Sequence, residues 1–285
     1  MALAPTVIDP LSATSIRLQP LFNDIKLAVA TGFTIKHNGM FYLITNWHVA
    51  TGRDADTKSC LNKNAAIPNK LVASFHSKTL GKWIDKEIPL IDDNGNNTWI
   101  EHPLGSAVDV VAIPLNDYTD TTMYALDLAL ADVDLVLMPA MPISVIGYPL
   151  GLTSGENWPI WKTGHIATDP DIDFQPNRPA FLIDATTRSG MSGSPVVVRA
   201  TSGYTNKQGN QMLGMGVTTK FIGVYSGRIH DESEIGRVWR PFVINEVLDQ
   251  KLHFDEKSRR TMPNRNSKCS CNSGRQFKSC CGALA

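Results

Sequence analysis

The sequence predicts an all-β protein, either a sandwich or a pair of barrels, on three observations. Short runs rich in β-branched and aromatic residues recur along most of the chain. Turn-forming clusters separate them, among them His37-Asn38-Gly39, where Asn-Gly readily supplies the positive φ of a tight hairpin. Only one stretch, 243–252, carries apolar residues at convincing helical spacing. The expected strands fall at 29–35, 41–45, 70–75, 108–115, 143–148, 159–166, 180–184, 194–199 and 221–225. A polar stretch ending in Leu126, Leu128 and Leu130, within 116–134, reads as a crossing between two halves. The Gly-, Asn- and Thr-rich segment 201–216 reads as a long mobile hairpin loop beside the expected site, and 255–266 as a polar linker.

At 285 residues, with 42% hydrophobic and 19% charged residues, the chain has the balance of a globular protein able to bury a large core. Its formal net charge of zero gives no bulk electrostatic reason for a nucleic-acid or membrane-surface partner. No apolar run approaches the ~20 residues that span a bilayer. The first residues lack the basic head and apolar centre of a secretory signal, so a cytoplasmic setting is expected.

Three polar residues stand out. Ser192 lies in Gly190-Met191-Ser192-Gly193-Ser194-Pro195, ahead of the apolar run Val196-Val197-Val198. Flanking glycines allow a sharp turn that exposes the hydroxyl and aims the N–H groups of Gly190 and Ser192 at one developing oxyanion. For this segment alone, a Gly/Ser-rich surface turn is the minority alternative. His48 is expected to end a strand, and Asp109 to open one, and each alone has a structural explanation. A serine hydroxyl needs a base and a group that orients the base. The order His, Asp, Ser along the chain is that of one serine-peptidase architecture and differs from the α/β-hydrolase order.

Thr45-x-x-His48-Val49, Asp109-Val110-Val111-Ala112 and Gly190-Met191-Ser192-Gly193-Ser194-Pro195 together resemble the three motifs of the trypsin/chymotrypsin superfamily. The Gly-Ser-Pro ending, Val145-Ile146-Gly147-Tyr148-Pro149, Trp161 to Ile166 and Phe242-Val243-Ile244-Asn245 are most similar to its bacterial glutamyl endopeptidase branch. The resemblance spans about 29–252. It implies two six-stranded antiparallel β-barrels, with His48 and Asp109 from the first (1–128) and Ser192 from the second (129–254, including the C-terminal helix). It also implies an acyl-enzyme mechanism that cleaves protein or peptide substrates.

The same resemblance places the primary specificity pocket at Thr186, Thr187, Tyr225, Ser226, Gly227 and Arg228. No aspartate stands at its base, which argues against a trypsin-like preference for Lys or Arg. Thr187 matches the glutamyl branch, whereas Tyr225 replaces its histidine. Arg228 or His230 would favour an acidic residue if either faces the pocket, and Arg228 pointing to solvent is the open alternative. Met191 occupies the position where secreted members carry an aspartate that pairs with a freshly cut N-terminus, so that activation route is not expected.

Four of the five cysteines, Cys269, Cys271, Cys280 and Cys281, cluster near the C-terminus, and Cys60 is expected to be a structural thiol. In a reducing compartment, four thiolates at C-x-C-x8-C-C spacing suit a tetrahedral Zn²⁺ site; two disulfides or a reactive tail remain alternatives. Within the unit 255–285, linker and cysteine cluster together, the cluster resembles the SEC-C zinc motif of the SecA tail, with Asn272 and Phe277 as mild departures. That resemblance implies a structural zinc and a protein partner. The rival to a peptidase with a recruitment tail is a catalytically silent, peptide-binding barrel pair carrying the same tail.

Overall fold

The computed structural model describes residues 8–250 except 177, 215 and 231, together with Leu252, Lys268, Arg275 and Gln276. Strands dominate it, as the alternating apolar runs require. The hairpin between Ala30–His37 and Met40–Thr45 forms as the Asn-Gly signal predicts. His37 pairs with Met40, and the two loop residues take φ of 48° at Asn38 and 84° at Gly39. Two positive φ values in a row give the turn whose twist matches the flanking strands.

The second half closes into the expected six-stranded antiparallel barrel. Its strands run in the order Pro142–Gly147, Ile160–Ile166, Ala180–Asp184, Ile235–Trp239, Thr218–Arg228 and Pro195–Ala200, and Ser144 opposite Val197 closes the ring. The first half departs from expectation. It is a nine-stranded sheet with a main path Trp83–Pro89, Lys70–Ser77, Ser15–Phe22, Ala30–His37, Met40–Thr45, Val111–Pro114 and Ile100–Glu101. Ring closure would need Val111–Pro114 to pair with Trp83–Pro89. One edge of that short strand is taken by Met40–Thr45 and the other by Ile100–Glu101, and its last residue is a proline without an N–H to donate.

One apolar cluster runs through both halves. Phe33 of the first meets Phe221 of the second edge-to-face at 5.7 Å, and Val243, Ile244 and Val247 of the C-terminal helix join them. That helix spans Phe242–Asp249 rather than 243–252, because Gln250 adopts a left-handed φ of 51° and ends it. It is pinned on its inner side by Glu246, whose carboxylate accepts from His102 Nε2 at 2.8 Å with both side chains fully buried. The crossing segment forms a 3₁₀ turn, Leu128–Ala131, capped by Asp127. Lys220 of the barrel anchors it, donating to the carbonyls of Ala131 at 2.8 Å and of Val133.

Segment 201–216 does form a hairpin, with Tyr204–Thr205 paired to Gln211–Met212. Its described residues line a separate depression and not the cleft at His48, so the expected place beside the site is not found. Cys60 is a half-buried free thiol, 3.7 Å from the Ala66 carbonyl. Cys269, Cys271, Cys280 and Cys281 lie outside the described residues. No helix among the described residues is long and apolar enough to cross a membrane.

Candidate active site

His48 does not end a strand. The strand stops at Thr45 and the chain enters a single helical turn, Trp47–Thr51. Asn46, extended at φ −84° and ψ 152°, breaks the strand, and its side-chain amide donates to the Asp109 carbonyl at 2.7 Å. Left-handed Gly52 ends the turn, its N–H reaching the His48 carbonyl. The result is a ring held at a fixed angle by both ends of the turn. Asp109 precedes its strand by two residues, at the centre of a tight turn in which the Val110 N–H reaches the Val108 carbonyl at 2.9 Å, with 3% of its side chain exposed.

A buried carboxylate must find donors. Asp109 has three. Its Oδ1 accepts the His48 backbone N–H at 2.8 Å, and its Oδ2 accepts His48 Nδ1–H at 2.7 Å and the Ser226 hydroxyl at 2.6 Å. With Asp109 accepting the hydrogen bond from Nδ1–H, the neutral ring keeps its lone pair on Nε2. Burial alone would depress the imidazole's pKa. The charge and hydrogen bond of Asp109, with a smaller contribution from Asp54, outweigh it and hold the ring above the usual value of 6.5.

Ser192 lines the same two cavities as His48. Its loop is braced from the first half of the chain. Thr31 donates its N–H to the Ser192 carbonyl at 2.9 Å and its hydroxyl to the Gly190 carbonyl at 2.7 Å. The Thr31 hydroxyl also accepts the Tyr148 N–H at 3.1 Å. The glycines on either side of Ser192 are required: a Cβ would lie 2.2 Å from the Tyr148 carbonyl at Gly190 and 2.0 Å from the Thr31 carbonyl at Gly193, both at left-handed φ. The carbonyl of Ser189 accepts the Leu150 N–H at 2.6 Å. In a trans peptide the following N–H points the opposite way, so this bond turns the Gly190 N–H away from Leu150. Neither the Gly190 nor the Ser192 N–H finds an acceptor among the described residues. Two unpaired donors next to the half-buried Ser192 are what a developing oxyanion requires.

With that geometry in place, the family match is decisive: the model of the trypsin-like peptidase domain matches residues 30–202, more than half of the chain. The chain belongs to the trypsin-like peptidases. No curated sequence matches it. Among solved structures, the active form of the Rv3671c protease from M. tuberculosis is 16% identical, with a TM-score of 0.45 over 87% of this chain and 93% of that one. The serine endoprotease from Yersinia pestis is 12% identical, with a TM-score of 0.45 over 87% of this chain and 67% of that one.

In this peptidase domain two cavities meet at His48 and Ser192. One, of about 390 Å³, is polar and is bordered by Asp54, Asp56, Arg188, Arg228 and Arg237. The other, of about 540 Å³, is more apolar and is bordered by Leu27, Val29, Val49, Leu61 and Pro68. Of the residues expected to contact substrate, Tyr225, Ser226, Gly227 and Arg228 line the polar cavity. Thr186 is exposed and lines neither cavity, while Thr187 is fully buried. The Thr187 and Tyr225 hydroxyls bond each other, and burial raises the Tyr225 phenol to about 12. Met191 is fully buried in the apolar core of the barrel.

Sequence reasoning missed three parts of the peptidase site. Thr31 has no local signature, since its role depends on strands 159 residues apart in the chain. Ser226 was assigned to substrate, yet its hydroxyl serves Asp109. Asn46, adjacent to the histidine motif, orients the Asp109 backbone.

Proposed function

We propose that this chain is a serine endopeptidase that hydrolyses peptide bonds through an acyl-enzyme, with Ser192 as nucleophile, His48 as general base and acid, and Asp109 as the group that orients and stabilises the imidazole. The observation that carries this reading is the 2.7 Å contact of Asp109 Oδ2 with His48 Nδ1, which favours the Nδ1–H tautomer and a basic Nε2 on a ring that shares both cavities with Ser192. In the first half-reaction the Ser192 Oγ attacks the scissile carbonyl and its proton passes to His48 Nε2. The oxyanion is received by the Gly190 and Ser192 N–H groups. The tetrahedral intermediate then collapses, the C–N bond breaks, and His48 gives its proton to the leaving amine. Water repeats the sequence on the ester, yielding the free acid and regenerating Ser192. Asp109 stays ionised throughout.

An extended peptide has an edge to bind. The strand Thr218–Arg228 pairs with Pro195–Ala200 only as far as Val224, and Ser226 to Arg228 continue along the cleft. Because Thr187 and Tyr225 close on each other, we infer a shallow primary pocket that takes a small side chain. We also propose that Cys269, Cys271, Cys280 and Cys281 hold a structural zinc that recruits a protein partner, in a cytoplasmic setting. Four thiolates suit the ion, and Lys268 and Gln276, which flank the first two cysteines, pair as an antiparallel bridge.

A fluorophosphonate probe should label the wild-type chain at Ser192 and leave Ser192→Ala unlabelled, as read by mass spectrometry of the modified peptide. Labelling that persists elsewhere in Ser192→Ala would overturn the assignment. No labelling of the wild type would favour the silent peptide-binding module. For the tail, one zinc per full chain is expected by elemental analysis, and well below one counts against it.

A further inference from the structure

The polar cavity carries an ion pair that reaches across it from one half of the chain to the other. The loop after the His48 turn is closed by the Arg53–Cys60 bridge and is shaped by Asp54, whose Oδ1 accepts the N–H groups of Asp56 and Thr57 at 3.0 and 2.6 Å. This turn holds out the neighbouring carboxylate, Asp56, to the barrel. There Arg178 Nη1 pairs with Asp56 Oδ1, and Arg237 Nη2 stands 3.4 Å from Oδ2. Burial would raise the Asp56 carboxyl, but the two arginines outweigh it and hold it below its usual range.

Two guanidiniums thus share one carboxylate, and Arg237 is the less satisfied. Its side chain is 13% exposed, its Nε is buried with no hydrogen-bond partner, and its contact with Asp56 is at the long end for a charged pair. It lies over the Trp239 ring, 5.8 Å from the centroid, which fixes its plane. Directly across the ladder from Arg237 is Gly227, where an added Cβ would meet nothing within 4 Å. Open space above Gly227 therefore joins the peptide-binding edge, Ser226 to Arg228, to the Arg237 guanidinium.

We propose that Arg178 and Arg237 form an anion subsite for an acidic side chain of the bound peptide, and that Asp56 occupies it as an internal competitor when no such side chain is present. Arg237 borders the polar cavity together with Ser226 to Arg228, and neither arginine borders the apolar one. The subsite rests on the peptidase reading only in assuming that the bound chain lies along Ser226 to Arg228. Two planar forks receive a carboxylate better than an amide, so the subsite distinguishes Glu from the isosteric Gln. Asp56 tunes that preference, because a substrate carboxylate gains only what it wins over the one already there.

The test uses hexapeptide mixtures with one position fixed as Glu or as Gln. Cleavage is measured with the full wild-type chain and with Asp56→Asn, Arg237→Gln and Arg178→Gln. Binding is measured by fluorescence anisotropy with the same set carrying Ser192→Ala. One position should favour Glu over Gln by about threefold in wild type and about tenfold or more in Asp56→Asn. Arg237→Gln should bring the ratio to one, and Arg178→Gln, a half-buried loop change that leaves the barrel untouched, should lower it. An Asp56→Asn change that shifts Glu and Gln mixtures equally, or a Glu preference that survives Arg237→Gln, overturns the proposal. Glu-selective binding without cleavage by any variant supports the subsite and overturns the peptidase reading. Cleavage with no Glu preference at any position overturns the subsite alone.

Discussion

The molecule contains two histidine–carboxylate pairs that look alike as pairs and differ in everything around them. His48 meets Asp109 at 2.7 Å and His102 meets Glu246 at 2.8 Å. In the first, the carboxylate binds Nδ1 and leaves Nε2 at a cavity wall, with 19% of the side chain exposed. In the second, the carboxylate accepts from Nε2–H, Nδ1 accepts the Leu104 N–H at 3.1 Å, and both side chains are fully buried. The His102 ring has no nitrogen left to offer. It staples the C-terminal helix to the first half of the chain, whereas His48 can still exchange a proton. A histidine next to a carboxylate is therefore not yet a site; an unspent nitrogen facing space for a substrate makes it one.

The sharpest way to break this comparison is to remove each ring. His48→Ala should lower kcat by about 10⁶-fold while leaving denaturation nearly unchanged, because the ring acts in the reaction rather than in the core. His102→Ala should do the reverse. Breaking the buried His102–Glu246 pair should cost about 3–5 kcal/mol, read by urea denaturation, with kcat per folded molecule within about twofold of wild type. If His102→Ala lost activity without losing stability, the contrast would be wrong. A smaller effect tests the oxyanion donors that give the free Nε2 its purpose. Gly190→Ala places a Cβ 2.2 Å from the Tyr148 carbonyl and should reduce kcat by about 10²–10³-fold with little change in KM.

The smallest effect sharpens the electrostatics of the first pair. His48 must be neutral to act as a base, and its folded pKa is raised by Asp109 and Asp54 against the opposing effect of burial. Activity should fall as pH drops through a midpoint above 6.5, seen in the pH profile of kcat/KM. Stability runs the other way. A raised folded pKa contributes stability that is fully present below the unfolded value and is lost as pH rises through the folded one. Asp109→Asn should abolish the upward shift, and a midpoint at or below 6.5 in wild type would contradict this account.

Much of the fold was legible because strands announce themselves locally. The Asn38-Gly39 hairpin, the valines after Ser194 and the pattern of the second barrel are short-range signals that the structure repeats. The first half forms an open sheet for a non-local reason. Whether a ring closes depends on which strand takes the last free edge, and Ile100–Glu101, too short to stand out in the sequence, takes it. His48 was placed at a strand end because the pattern up to Thr45 is β, and the switch to a helical turn depends on Asn46 reaching Asp109.

Sequence alone determined the chemical inventory: a serine between glycines, a histidine, an aspartate, in an order and spacing that a strand-rich chain can fold into one cleft. Tertiary structure decided who partners whom. Asp109 chooses His48 61 residues away and Ser226 117 residues away, and Glu246 chooses His102 across 144. Thr187 turns from an expected substrate contact into the buried partner of Tyr225, and Asp56 reaches arginines on the far side of the cleft. Such choices are absent from the linear pattern because a buried polar group takes whichever donor or acceptor the packed strands bring within about 3 Å, and only closure of both sheets fixes that set.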